Sequence, residues 1–409
     1  MLIPLRLLLI PYYLLIATGM LLPSDGTHGL FSPKSLLFLS AAFSIFLLIM
    51  VRQRFHPKQL LHGVFLAFFL VFLILWMAIG IANPITQISS TFDQAKLFLI
   101  TAAVPLMTLY LYKEELIIPQ QIIRIAILSN FLYCLCKLSL ILFHFCGALN
   151  MWDLLKVANF RVQQMGIVGS LQRLQTSVDI STPFLFMFVL FSKRLELKFP
   201  PLFRQFYLLL TPISNFFTFS RYLLFVQGAA LILYIFSLTS KKFIQSAALS
   251  AICLIFAIAS FGPQNFLDSL EKRFFSKSSY YSDQARVDQI NALLEQTAKT
   301  PYTGSGLGAH APKAMRDHKL LHSYEVQWAA FLMQLGIAGV SILLIFLSFI
   351  AIPFLIPPIT RISLAFFCLF LLWILSGFTN PFLISLQSGI IYSLFLMAIE
   401  LLPNSKIYN

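Results

Sequence analysis

Residues 325–352 read EVQWAAFLMQLGIAGVSILLIFLSFIAI, one acidic residue followed by an unbroken apolar run. A helix rises about 1.5 Å per residue and the hydrocarbon core of a bilayer is about 30 Å thick, so about 20 apolar residues cross it. Inside lipid every backbone N–H and C=O has to pair within its own segment, so the run is read as a helix. Working outward, similar runs recur in 2–22, 35–51, 60–82, 95–112, 122–148, 176–192, 202–219, 222–239, 243–261, 361–378 and 384–402. With 59 % hydrophobic and 11 % charged residues and a mean hydropathy of +0.84, the composition excludes a soluble globule.

The fold expected is all-α: a polytopic integral membrane protein of about twelve transmembrane helices. Residues 1–261 carry the first nine, 262–322 form one long polar loop with short amphipathic helices, and 323–409 carry the last three. Arg6 precedes a long apolar run with no small-x-small cleavage site after it, so this run is read as a first helix and not a signal peptide. Pro183 and Pro212 interrupt the sixth and seventh runs.

Among the short connections and ends, fourteen Lys/Arg fall on one side (Arg6, Arg52, Arg54, Lys58, Lys113, Arg124, Lys193, Arg194, Lys198, Arg204, Lys241, Lys242, Arg361 and Lys406) against six on the other. Basic short loops stay in the cytoplasm, which places both termini there and turns the 262–322 loop outward. The net charge of +14 therefore reflects topology and not nucleic-acid binding. Charges that topology leaves unexplained, among them Arg161, Arg173 and Arg221, fall on the outer side. All five cysteines (134, 136, 146, 253 and 368) lie in apolar segments and imply no disulfide framework.

Within the loop, Ser282 or Asp283 is placed to cap a helix running to about Ala298 that carries Arg286 near its start, and Pro301 ends it. A turn rich in glycine follows, PYTGSGLG at 301–308; it reads as a plain turn or an anion cradle, but not as an ATP-binding loop, since no Gly-Lys-Ser/Thr follows. Ser323 is expected to cap the next helix, with His322 beside its N-terminus.

Arginine stays charged and its planar fork grips phosphate oxygens in pairs, so Arg221 and Arg286 are candidates to hold a diphosphate; each also fits an interfacial anchor. His322 is the candidate general base because imidazole titrates near neutrality, with His310 and His318 as competitors. Glu325 would orient the histidine, replace it as base, or complement a helix dipole. Lys137 lies mid-helix and is costly there unless paired, with Asp179 and His144 as candidate partners, or placed in a cavity; it also fits simple snorkelling. No Asp-x-Asp and no His/Glu cluster at ligand spacing occurs, so no metal and no cofactor is expected.

Several segments together resemble the O-antigen polymerase and O-antigen ligase superfamily of bacterial membrane glycosyltransferases. They are Phe219-Ser220-Arg221; Arg286 followed by Pro301-Tyr-Thr-Gly304-Ser-Gly306-Leu-Gly308; His322 through Gln334-Leu-Gly336-Ile-Ala-Gly339; and Asn380-Pro381. The similarity spans roughly residues 215–400, and its order and placement are more specific than any single motif. The resemblance implies a donor glycan on undecaprenyl diphosphate, a glycan or lipid A–core acceptor, and inverting, metal-independent transfer in the periplasm. Chain-length regulator and flippase proteins are the implied partners. By position, the resemblance implies that Arg221 and Arg286 hold the diphosphate and that His322 activates the acceptor hydroxyl; Arg161 and Arg173, placed on the outer side by topology, are further candidates for diphosphate binding. His322-Ser323 replaces the ligases' His-Asn, which favours a polymerase. A ligase, or a lipid-glycan flippase or transporter, are the alternatives.

Overall fold

The computed structural model describes residues 6–23, 32–52, 57–157, 163–168, 171–237, 277–314 and 320–402. The run at 243–261, the loop's first residues 262–276, Arg161 and His318 lie outside the described residues. Helices dominate: α1 (Ile10–Leu21), α2 (Pro33–Arg52), α3 (Pro57–Ala82), α4 (Ile88–Lys113), α5 (Pro119–Phe145), α6 (Met151–Val157), α7 (Thr182–Leu190), α8 (Pro201–Phe216), α9 (Arg221–Phe236), α10 (Lys277–Thr297), α11 (Gln327–Ala351), α12 (Arg361–Leu375) and α13 (Leu386–Leu401). Among the described residues, five are long and apolar enough to cross a membrane: α2, α4, α5, α11 with its continuation to Leu355, and α12 to Phe378. This is a membrane-embedded helical protein.

The all-α expectation needs one amendment. Residues 163–168 and 171–175 pair as a two-stranded antiparallel sheet, β1 (Gln163–Val168) and β2 (Leu171–Gln175). Its sequence, QQMGIV and LQRLQ, is too polar for a span, and pairing two strands satisfies the backbone without a helix. The sixth predicted run is also changed. Its described helical stretch, Val178–Leu190, is a short 3-10 turn followed by the nine-residue helix α7, all buried, and is shorter than the five helices above. Pro183 sits in its first turn, where no amide donor is needed, so it starts the helix and does not break it.

Helix α13 is packed against α4 and α5, α1 against α2 and α5, and α7 is enclosed by α8 and α9. Aromatic side chains lock this core edge to face: Phe184 on Trp373 at 4.9 Å, Phe188 on Phe366 at 5.1 Å and Phe370 on Phe395 at 5.0 Å between ring centres. Helix α10 packs against α11 and brings the polar stretch down onto the bundle.

Candidate functional site

The glycine-rich turn is the mount of the site. Helix α11 is broken at Gly336, whose φ of 64° and ψ of −176° are closed to residues with a side chain. The break exposes carbonyls that a membrane helix has to satisfy elsewhere. The turn supplies the donors: Ser305 N–H to Met333 O at 2.8 Å and Gly306 N–H to Gln334 O at 2.9 Å. Trp76 of α3 donates its indole N–H to Leu335 O and Thr303 O, both at 2.9 Å. Leu307 N–H returns to Trp76 O at 3.0 Å, and Gly308 N–H to Gln94 Oε1 at 2.6 Å. Of the two readings of this turn, the structure selects the plain one, because these amides are spent on protein acceptors. Gly306, at φ +87°, lies so close to α3 that a Cβ would meet Gly80 N at 2.0 Å.

Two buried glutamines finish the mount. Gln94 Nε2 donates to Gln334 Oε1 at 2.6 Å, while Gln334 Nε2 reaches Ala309 O at 2.9 Å and His322 O at 3.3 Å. Tyr324, 1 % exposed, accepts from Ala311 N–H through its hydroxyl at 2.7 Å. The backbone at both ends of 309–324 is thereby fastened beside the broken helix. His322 is held there, nearly buried, as is His310. Burial pushes the His310 imidazole below its usual titration range, and its Nδ1 has no hydrogen-bond partner among the described residues.

Helix α11 starts at Gln327 with Val326 as its N-cap, and α10 begins at Lys277, six residues before Asp283. Ser323 and Asp283 are therefore not caps. Asp283 instead stands one and a half turns inside α10 and joins the two predicted arginines. Arg221 Nη1 donates to Asp283 Oδ2 at 3.1 Å and Nη2 to Oδ1 at 2.6 Å. Arg286 Nη1 donates to the same Oδ1 at 2.8 Å, and its Nε donates to Glu325 Oε2 at 2.8 Å. Two cations and two anions thus form one chain from the α8–α9 reversal through α10 to the start of α11. Hydrogen bonds from Arg221 hold the Asp283 carboxyl below the usual carboxylate range, with Arg286 adding to the effect and slight burial opposing it.

Arg221 is fixed by local geometry. It is the first residue of α9, after a reversal in which Phe219 adopts φ +44°. Phe219 N–H bonds Phe216 O at 2.9 Å, and Thr218 Oγ1 bonds Asn215 O at 2.7 Å. Strand β2 clamps the reversal from outside: Leu174 N–H reaches Phe217 O at 3.1 Å and Arg173 Nε reaches Thr218 O at 2.9 Å. A second Arg173 nitrogen donates to Gln175 Oε1. Arg173 therefore serves to hold the reversal three residues before Arg221.

Lys137 has Asp179 as its partner, at 2.7 Å, and also donates to Ser214 O at 3.0 Å. The other proposed partner, His144, faces Leu149 O. Sequence reasoning missed the linking role of Asp283 and the bridging pair Gln94 and Gln334. The spacing of Asp283 and Arg286, three apart on a helix, was a usable signal for the first; nothing local marks the second. Among the described residues no group of three or more His, Cys, Asp or Glu is placed to hold a metal ion. Set against known proteins, the chain matches no family model, no curated protein and no solved structure.

Proposed function

We propose that the chain is a membrane glycosyltransferase that polymerises oligosaccharide repeat units carried on undecaprenyl diphosphate, at the periplasmic face of a bacterial inner membrane. About twelve crossings and cytoplasmic termini complete that reading. The observation that carries it is the convergence of Arg221 and Arg286, from segments 62 residues apart at Arg221 and Asp283, on a single carboxylate. Two guanidinium forks meeting at one anion, partly open to solvent, are suited to a diphosphate.

In the proposed reaction the acceptor hydroxyl oxygen attacks the anomeric carbon of the donor. The bond from that carbon to the diphosphate oxygen breaks on the opposite face, and its electron pair leaves with the lipid diphosphate. Arg221 and Arg286 stabilise the negative charge that develops on the leaving group. The hydroxyl proton passes to His322, whose backbone the Gln334 amide fastens. Glu325, engaged with Arg286, keeps that fork aimed at the phosphates. The buried Lys137–Asp179 pair, satisfied by protein groups, gives no support to a transporter.

The test is reconstitution of the purified protein with undecaprenyl-diphosphate-linked repeat units, with and without lipid A–core. Polymer ladders in the absence of core are expected. Product only when core is present would assign a ligase, and movement of labelled lipid without product would assign a flippase. Arg221→Ala and Arg286→Ala should each lower turnover by about 10²–10³-fold while the protein still folds. Full activity in both would refute the donor site.

A further inference from the structure

Asp283 occupies the position on Arg221 that a phosphate would need. Both terminal nitrogens of Arg221 point at its two oxygens, so the paired edge of the fork is filled. One of those oxygens also takes Arg286 Nη1. The Asp283 side chain is nevertheless 51 % exposed, against 28 % for Arg221 and 23 % for Arg286. Solvent reaches the carboxylate, and an ion pair of that exposure is held weakly. Arg286 keeps a second anchor in Glu325, so its fork stays aimed if Asp283 leaves.

We propose that Asp283 is a placeholder anion, which keeps the two arginine forks together in the empty site and is displaced by the incoming diphosphate. This rests on the donor-site reading above. Two guanidinium groups converging with no anion between them would repel and splay apart. A carboxylate on α10, three residues before Arg286, prevents that, and it offers one charge and two oxygens where a diphosphate offers more of both. The exchange therefore favours the substrate, while the resting site stays assembled. It also sets a specificity: a ligand with a single weakly charged phosphodiester gains less from displacing Asp283 than a diphosphate does.

The test is calorimetric titration of the full-length protein in detergent with inorganic pyrophosphate, comparing the unaltered protein, Asp283→Asn and Arg221→Ala. Thermal melting is the check on folding, and Asp283→Ser is a second neutral variant should Asn not fold. Removing the competing charge should lower the Kd by up to about fivefold. Arg221→Ala should raise it at least about tenfold. If Arg221→Ala loses binding while the neutral variants bind no tighter, the placeholder is overturned and the donor site stands. If Arg221→Ala binds as well as the unaltered protein, or pyrophosphate binds none of them, the donor site falls and takes the placeholder with it. A parallel titration with short-chain phosphatidylglycerol separates a lipid headgroup source: tightening there but not with pyrophosphate would overturn the diphosphate assignment.

Discussion

Two ion pairs in this molecule have nearly the same length and opposite surroundings. Lys137 and Asp179 meet at 2.7 Å with side chains 2 % and 0 % exposed; Arg221 and Asp283 meet at 2.6 Å with 28 % and 51 % exposed. The first is enclosed by its own acceptors and donors. Ser214 O takes a second Lys137 proton, Thr176 N–H bonds Asp179 Oδ2 at 2.8 Å, and Tyr133 shares its hydroxyl with Thr176 at 2.6 Å. No exchange partner can reach it. The second has its anion half in solvent, and bond length says nothing of this difference. Enclosure makes the one a fastening of α5 to the segment before α7, and openness makes the other suitable for exchange.

The comparison can be broken by mutation. Lys137→Ala should be the most damaging, at about 3–5 kcal/mol, because it leaves Asp179 charged and buried. Adding Asp179→Ala should recover part of that loss, and an additive double variant in thermal melting would show that the pair is not enclosed as described. Gly306→Ala comes next. Backbone strain alone costs about 1–3 kcal/mol, before the collision with Gly80 is counted, so the folded yield should drop. Arg221→Ala should change stability by only about 0–1 kcal/mol, although turnover collapses. A stability loss as large as that of Lys137→Ala would make Arg221 a structural residue.

The smallest effect is on pH. Asp283 titrates lower when folded than when unfolded, so the stability it contributes is present above the usual carboxylate range of about 4 and is lost as pH falls through the lower folded value. Arginine stays charged across this range, and Glu325 faces Arg286. Melting curves of the unaltered protein and Asp283→Asn should therefore diverge at neutral pH and converge in acid. A constant gap would place the effect elsewhere.

Much of this was legible in the chain. Apolar length gave helices α2, α4, α5, α11 and α12, because lipid permits little else. The polar stretch, the isolated Arg221 and the loop helix bearing Arg286 stand out by composition alone. Less legible was the strand pair β1–β2, whose short polar strands carry no strong period. The start of α10 was misplaced because Ser282 and Asp283 look like a cap, and only contact with Arg221 reveals Asp283's other role. Apolar composition does not separate a short buried helix such as α7 from a longer membrane one.

By itself, then, the sequence determined that the protein is helical and membrane-embedded, and where charged residues interrupt its apolar runs. Those conclusions follow from local terms: the cost of burying an unpaired backbone and the charge carried by each side chain. The tertiary structure alone decided what each polar group is for. It spent the amides of the glycine turn on the break at Gly336, and it gave Lys137 to Asp179. It also set Asp283 between Arg221 and Arg286. A hydrogen bond depends on where its partner lies, and these partners are distant in sequence.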